Sequence, residues 1–165
     1  MIRDARPEDA AGLALVHVAS WQEAYRGLID QAFLDSMDVE IRTETWHGIL
    51  RQHRGRVLVA ESDGGIAGFC TVGQSTNPGW GEIYAIYLDP RQWGRGLGSD
   101  LLAAGERALS DEGEERALLW VLDTNRRARA FYERQGWTQG KPIRIEKIGG
   151  NDVTEVRYEK SLGQP

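Results

Sequence analysis

A single cysteine, Cys70, stands among the 165 residues, so no disulfide closes within the chain. That scarcity excludes a small disulfide-stapled secreted scaffold and fits a reducing compartment, so a cytoplasmic location is expected. No apolar run approaches the ~20 residues of a membrane-spanning helix. The N-terminus turns charged at Arg3, Asp4 and Arg6, where a secretory leader would be apolar. Lys and Arg form no run and the net charge is −5, so neither nucleic acid nor a membrane is an expected partner. His17, His47 and His53 lack the spacing of metal ligands, and no metal is expected. No serine nucleophile elbow is present. Cys70 lies inside an apolar stretch, where burial is its expected role. No internal repeat, linker or low-complexity tract divides the chain, so residues 1–165 are expected to form one domain.

Glycine is abundant, at 20 residues. Its most informative placement is in Ile83 to Leu102, IYAIYLDPRQWGRGLGSDLL. Ile83 to Leu88 is β-branched, aromatic or aliphatic, as strands prefer. Asp89-Pro90 ends that run, because proline has no N–H for a ladder. Gly94, Gly96 and Gly98 follow, and then Leu97, Leu101, Leu102, Gly105, Ala108 and Leu109 at helical spacing. A glycine-rich loop that opens directly into a helix suits an anion. Glycines let the backbone approach closely, and the first helical N–H groups have no partner inside the helix. Arg91 and Arg95 add charge beside it. An acidic chain must attract an anionic ligand through such local geometry. A Walker loop would need Lys-Ser or Lys-Thr after its last glycine, whereas Ser99-Asp100 follows Gly98. In a dinucleotide fingerprint the third glycine would fall one residue later, at the position of Ser99.

The flanking sequence predicts β-α-α-β-β-β-α-β-α-β-β. Strands are expected at Ile2–Ala5, Arg56–Glu61, Ile66–Val72, Trp80–Leu88, Ala117–Leu122, Trp137–Ile148 and Val153–Tyr158. Asp63-Gly64-Gly65 is the hairpin signal between the second and third. Helices are expected after Pro7, from Asp38 to about Gln52, after the glycine loop, and at Arg126–Gln135 with Gly136 past its end. On strict alternation, Glu82, Tyr84 and Ile86 share one face of their strand, and Ile83 and Tyr87 tend to the other. The unbroken run ALLWVL predicts a strand buried on both faces, typical of parallel pairing. The fold class is α+β: a mixed, mostly antiparallel sheet of six to seven strands with helices on both faces.

A second motif lies in Leu119 to Trp137, LWVLDTNRRARAFYERQGW. Asn125, Ala128, Phe131, Tyr132, Glu133, Gly136 and Trp137, together with Pro90, Gly94, Gly96, Leu97 and Gly98, resemble the two signature motifs of the GNAT superfamily of acyltransferases. One departure stands out: Trp93 occupies a place where that superfamily usually has Arg or Gln.

The resemblance implies acetyl transfer from acetyl-CoA to a small-molecule or peptide amine by direct attack in a ternary complex. It implies Tyr132 as general acid and Glu82 as the candidate base, acting directly or through water. It assigns the coenzyme to Ile86, Tyr87 and Leu88 at the strand end, to Arg91, Trp93, Gly94, Arg95, Gly96, Leu97, Gly98 and Ser99 in the loop, and to Asn125 and Arg129. Arg126 and Arg127 share the last expectation. Trp21, Tyr25 and Tyr84 are candidate acceptor contacts, as is Trp46, with core packing the alternative for aromatic residues. A homodimer is compatible with the resemblance. A different acyl-CoA, or a coenzyme-binding sensor without turnover, are the competing readings.

Overall fold

The computed structural model describes residues 1–52, 54–62 and 64–163. His53, Asp63 and the last two positions of the expected tail lie outside the described residues. The chain runs β1 (Ile2–Asp4), α1 (Ala10–Ala24), α2 (Gln31–Asp35), α3 (Val39–Gln52), β2 (Arg56–Ser62), β3 (Gly65–Gln74), β4 (Gly81–Leu88), α4 (Leu97–Asp111), β5 (Arg116–Leu122), α5 (Arg126–Arg134), β6 (Thr138–Ile148) and β7 (Asn151–Ser161). All seven expected strands are present. Helix α2 was not foreseen; Asp30 caps it by accepting a hydrogen bond from the Phe33 amide, 3.1 Å.

The strands make one sheet in the order β1-β2-β3-β4-β5-β7-β6. Only β4 and β5 are parallel, and every other neighbouring pair is antiparallel. Strand β5 is indeed buried along most of its length, yet its long partner is antiparallel β7, over seven residue pairs. Leu58, Cys70, Val72 and Ile83 face α4, where they meet Leu101, Leu102, Ala108 and Leu109. Val59 and Phe69 face the opposite way and pack with Leu13, Ala14 and Val16 of α1 and Trp46 of α3. Helices therefore cover both faces, and each face carries its own apolar layer.

The N-terminal turn is tied down by charge. Asp9 is buried and accepts from the Arg6 amide and from both Nη atoms of Arg3, which also reaches Glu61 on β2.

One irregularity shapes everything downstream. Thr71 pairs with Ala85 but Val72 pairs with Ile83, so Tyr84 is the extra residue of a β-bulge. Alternation restarts after it. Ile83, Ile86 and Leu88 consequently face α4, while Ala85 and Tyr87 face α1 and α3. This corrects the facing expected from strict alternation.

Candidate active site

Strands β4 and β5 pair only at Gly81–Ala117 and Glu82–Leu118. Beyond those pairs they run on to Leu88 and Leu122 without bonding each other, so the sheet splays open there. The opening is a cleft of about 570 Å³, a volume suited to an extended small molecule. Its β4 wall includes Ile86, Tyr87 and Leu88, and its opposite wall Val121, Asn125, Phe131 and Tyr132. Ser20 and Glu23 of α1, with Tyr25 just past its end, close one side. An unpaired strand edge offers main-chain N–H and C=O groups to an extended ligand, much as an added strand would use them.

At the mouth, Gly94 and Gly96 have φ of 75° and 85°, a left-handed conformation that favours glycine. Helix α4 starts directly after Gly96, and no side chain caps it. Its first-turn amides are therefore free to meet an anion at the positive end of the helix dipole. A Cβ on Gly98 would reach only ordinary contact with Leu88 and Phe131, 3.6 Å away. Nothing among the described residues demands glycine at that position, which lines the cleft. The geometry fits a pyrophosphate followed by a thin extended chain.

Tyr132 comes from α5, where Asn125 caps the helix by accepting from the Ala128 amide, 3.1 Å. Its ring packs near Phe131, Trp137 and Tyr158. Its hydroxyl has no hydrogen-bond partner among the described residues. Burial pushes the phenol upward from its ordinary value, so it stays protonated and able to donate at neutral pH.

Glu82 sits on the other face of β4, half-buried. Burial pushes its carboxyl upward, and the neighbouring Glu155 adds to this, while Ser75 and Arg144 pull the other way. Glu155 was not foreseen. It sits on β7, paired in register with Leu122 and Arg144, and Arg144 Nε donates to its carboxylate at 3.0 Å. Its charge also reaches Tyr25 and Tyr87. No local sequence signal marks it, because its neighbours come from β4, β5, β6 and the residue that ends α1.

Several residues fall elsewhere than expected. Tyr84 points away from the cleft into a shallow basin with Arg54, Arg56 and Gly73, and its hydroxyl donates to the Gln74 carbonyl. Trp21 does not line the cleft; it packs behind Tyr25, ring centroids 4.8 Å apart. Trp46 is 2% exposed and sits against Phe69 in the core. Arg129 is occupied by Tyr158, the Asp123 carbonyl and Gln139. Arg91 is paired with Asp89 at 2.5 Å, outside the cleft lining. Leu97 packs against the core, and Arg95 is exposed. Trp93, Gly94, Gly96, Gly98 and Ser99 are brought together along the cleft, joined by Arg127.

A glycine-loop helix start beside a splayed seam of a mixed sheet is the α+β arrangement that the resemblance to the GNAT acyltransferases implies. Comparison with known proteins agrees. The model of the "Acetyltransferase (GNAT) family" matches residues 18–137, and the chain belongs to that family. The "Uncharacterized N-acetyltransferase YuaI" of Bacillus subtilis is 32% identical over 127 residues, covering 75% of this chain and 72% of its own. An N-acetyltransferase of Archaeoglobus fulgidus is 34% identical over 143 residues, 81% of this chain and 90% of its own. Among solved structures, the PaiA N-acetyltransferase of Thermoplasma acidophilum, in complex with coenzyme A, has the same fold with a TM-score of 0.75. It is 22% identical, and each chain is covered over 98%.

Proposed function

We propose that this chain is an acetyl-CoA-dependent N-acetyltransferase that acetylates a primary amine by direct attack, with donor and acceptor bound together. The observation that supports it best is the free Tyr132 hydroxyl inside a cleft that ends at an uncapped, glycine-lined helix start. Acetyl-CoA supplies an activated thioester and a thiolate leaving group. The residues of the chain supply the rest. The open edge of β4 near Ile86 to Leu88 offers N–H groups where the carbonyl oxygen gains charge. Tyr132 gives its proton to the departing sulfur as the carbon–sulfur bond breaks and the carbon–nitrogen bond forms. Glu82 does not line the cleft that holds Tyr132, so it takes the amine's proton through solvent. A carboxyl raised by burial holds a proton more readily than an exposed one, which suits a base.

Thermal unfolding in the presence of acetyl-CoA, CoA and ATP tests this reading. A hundredfold excess over Kd adds about 2.7 kcal/mol, a shift of several degrees for a chain of this size. Both coenzyme species are expected to raise the Tm and ATP is not. Transfer from acetyl-CoA to a panel of primary amines, followed by thiol release, then finds the acceptor. Absence of any shift with either coenzyme would sink the reading.

A further inference from the structure

The glycine loop has an unusual balance of charge. Trp93 stands where the family usually has Arg or Gln, so the loop carries no basic side chain there. Arg91 is held by Asp89, with Nε at 3.0 and 3.1 Å from its two oxygens and Nη2 at 2.5 Å. Arg95 does not line the cleft. Backbone amides alone would face a doubly charged group.

The missing cation stands across the cleft. Arg127, in the first turn of α5, lays its guanidinium on the Trp93 ring, with Cζ 3.5 Å from the ring centroid. Trp93 cannot turn freely, because its indole Nε1 donates to the Leu88 carbonyl at 3.2 Å. A guanidinium stacked on an indole keeps its N–H groups directed outward in its own plane, available to an anion. Arg127 has no ion pair or side-chain hydrogen bond among the described residues. Glu23, the acid whose charge reaches it, is already paired with Arg26 at 2.7 Å. A second arginine of α5, Arg134, also lines the cleft but stacks on no ring among the described residues.

We propose that Arg127, held flat on Trp93, grips a phosphate group of the coenzyme at the glycine loop, so that α5 supplies the cation the loop lacks. Trp93 is then a positioning residue: it places Arg127 and makes no polar contact of its own with the phosphate. This rests on the coenzyme reading of the cleft. Pyrophosphate and 3′-phosphate share the required chemistry, and two ligands separate them.

The experiment measures the Kd of CoA and of 3′-dephospho-CoA by calorimetry for the wild type, R127A, R127K, W93A, the W93A/R127A pair and R107A. R107A removes the same charge from an exposed position of α4 outside the cleft lining. R127A is expected to weaken CoA about tenfold or more, as loss of a charge-assisted contact does. R127K is expected to recover part of this, and R107A to change binding less than twofold. W93A is expected to weaken binding too, and the double variant to be no weaker than R127A, because the two residues act as one unit. Equal losses with both ligands place the contact on the pyrophosphate; a loss with CoA alone places it on the 3′-phosphate. CoA binding by R127A as tight as by wild type overturns the proposal, as do losses in W93A and R127A that simply multiply. If the wild type itself binds neither ligand, the coenzyme reading fails first, which is a distinguishable result.

Discussion

The hydroxyls of Tyr25 and Tyr87 lie 2.8 Å apart and tie the end of helix α1 to strand β4 at the wall of the cleft. Burial pushes both phenols upward, and in such surroundings an unpaired hydroxyl is costly. Removing one oxygen should therefore cost more than removing both. Y25F and Y87F are each expected to lose about 1–2 kcal/mol in urea unfolding, and the double variant to lose less than either single one. Strictly additive losses would show that the pair does not act as a unit.

Tyr132 is the chemical counterpart of that pair, since its hydroxyl is unpartnered among the described residues. Tyr132→Phe keeps the ring that packs against Trp137 and Tyr158. Turnover is expected to fall about a hundredfold or more, while the Kd of CoA stays within twofold of wild type. A variant with wild-type turnover would remove Tyr132 from the role of acid.

For Glu82 the pH profile is the informative measurement. Its carboxyl is raised by burial, so kcat/KM of the wild type should fall as pH drops through a value above the ordinary carboxylate range. Glu82→Gln should lower the rate and abolish that limb. Ionisation of the acceptor amine adds a separate limb common to both proteins. Identical acid limbs in the two proteins would show that another group takes the proton.

Stability against acid should depend on Asp9. Its hydrogen bonds with Arg3, then with the Arg6 amide, hold its carboxyl below the ordinary value. A depressed folded-state pKa stabilises the fold above the unfolded value, about 4, and the contribution disappears as pH falls through the lower folded value. Asp9→Asn is expected to lose about 1.5–3 kcal/mol at pH 7, with the gap to wild type closing below about pH 4. A gap that is constant with pH would assign the effect to shape and not to charge.

Seven strands, the glycine loop and the capped start of α5 were legible in the chain, because each depends on contacts a few residues apart. Alternation and β-branched residues mark the strands. Gly94, Gly96 and the apolar spacing after them mark an anion-binding helix start. Asn125 and Tyr132 lie three and ten residues along from Leu122 on an element whose phase the motif itself sets. Helix α2 escaped because five residues carry too little periodicity, although Asp30 was a capping signal.

The rest was decided by tertiary structure. The bulge at Tyr84 is an irregularity of pairing with β3, and it alone sent Tyr84 out of the cleft and turned Tyr87 toward α1. Arg127 and Arg129 are indistinguishable in the sequence, two residues apart on one helix. Tyr158, Asp123 and Gln139 engage one, and Trp93 stacks under the other. Glu155 and Glu82 share the face of the sheet that carries Tyr87 only because β7 inserts between β5 and β6. Local patterning determines which elements form, since capping, turns and periodicity act within a few residues. Which side chains meet across strands depends on register and chain order, and these are settled when distant segments bury their apolar faces together.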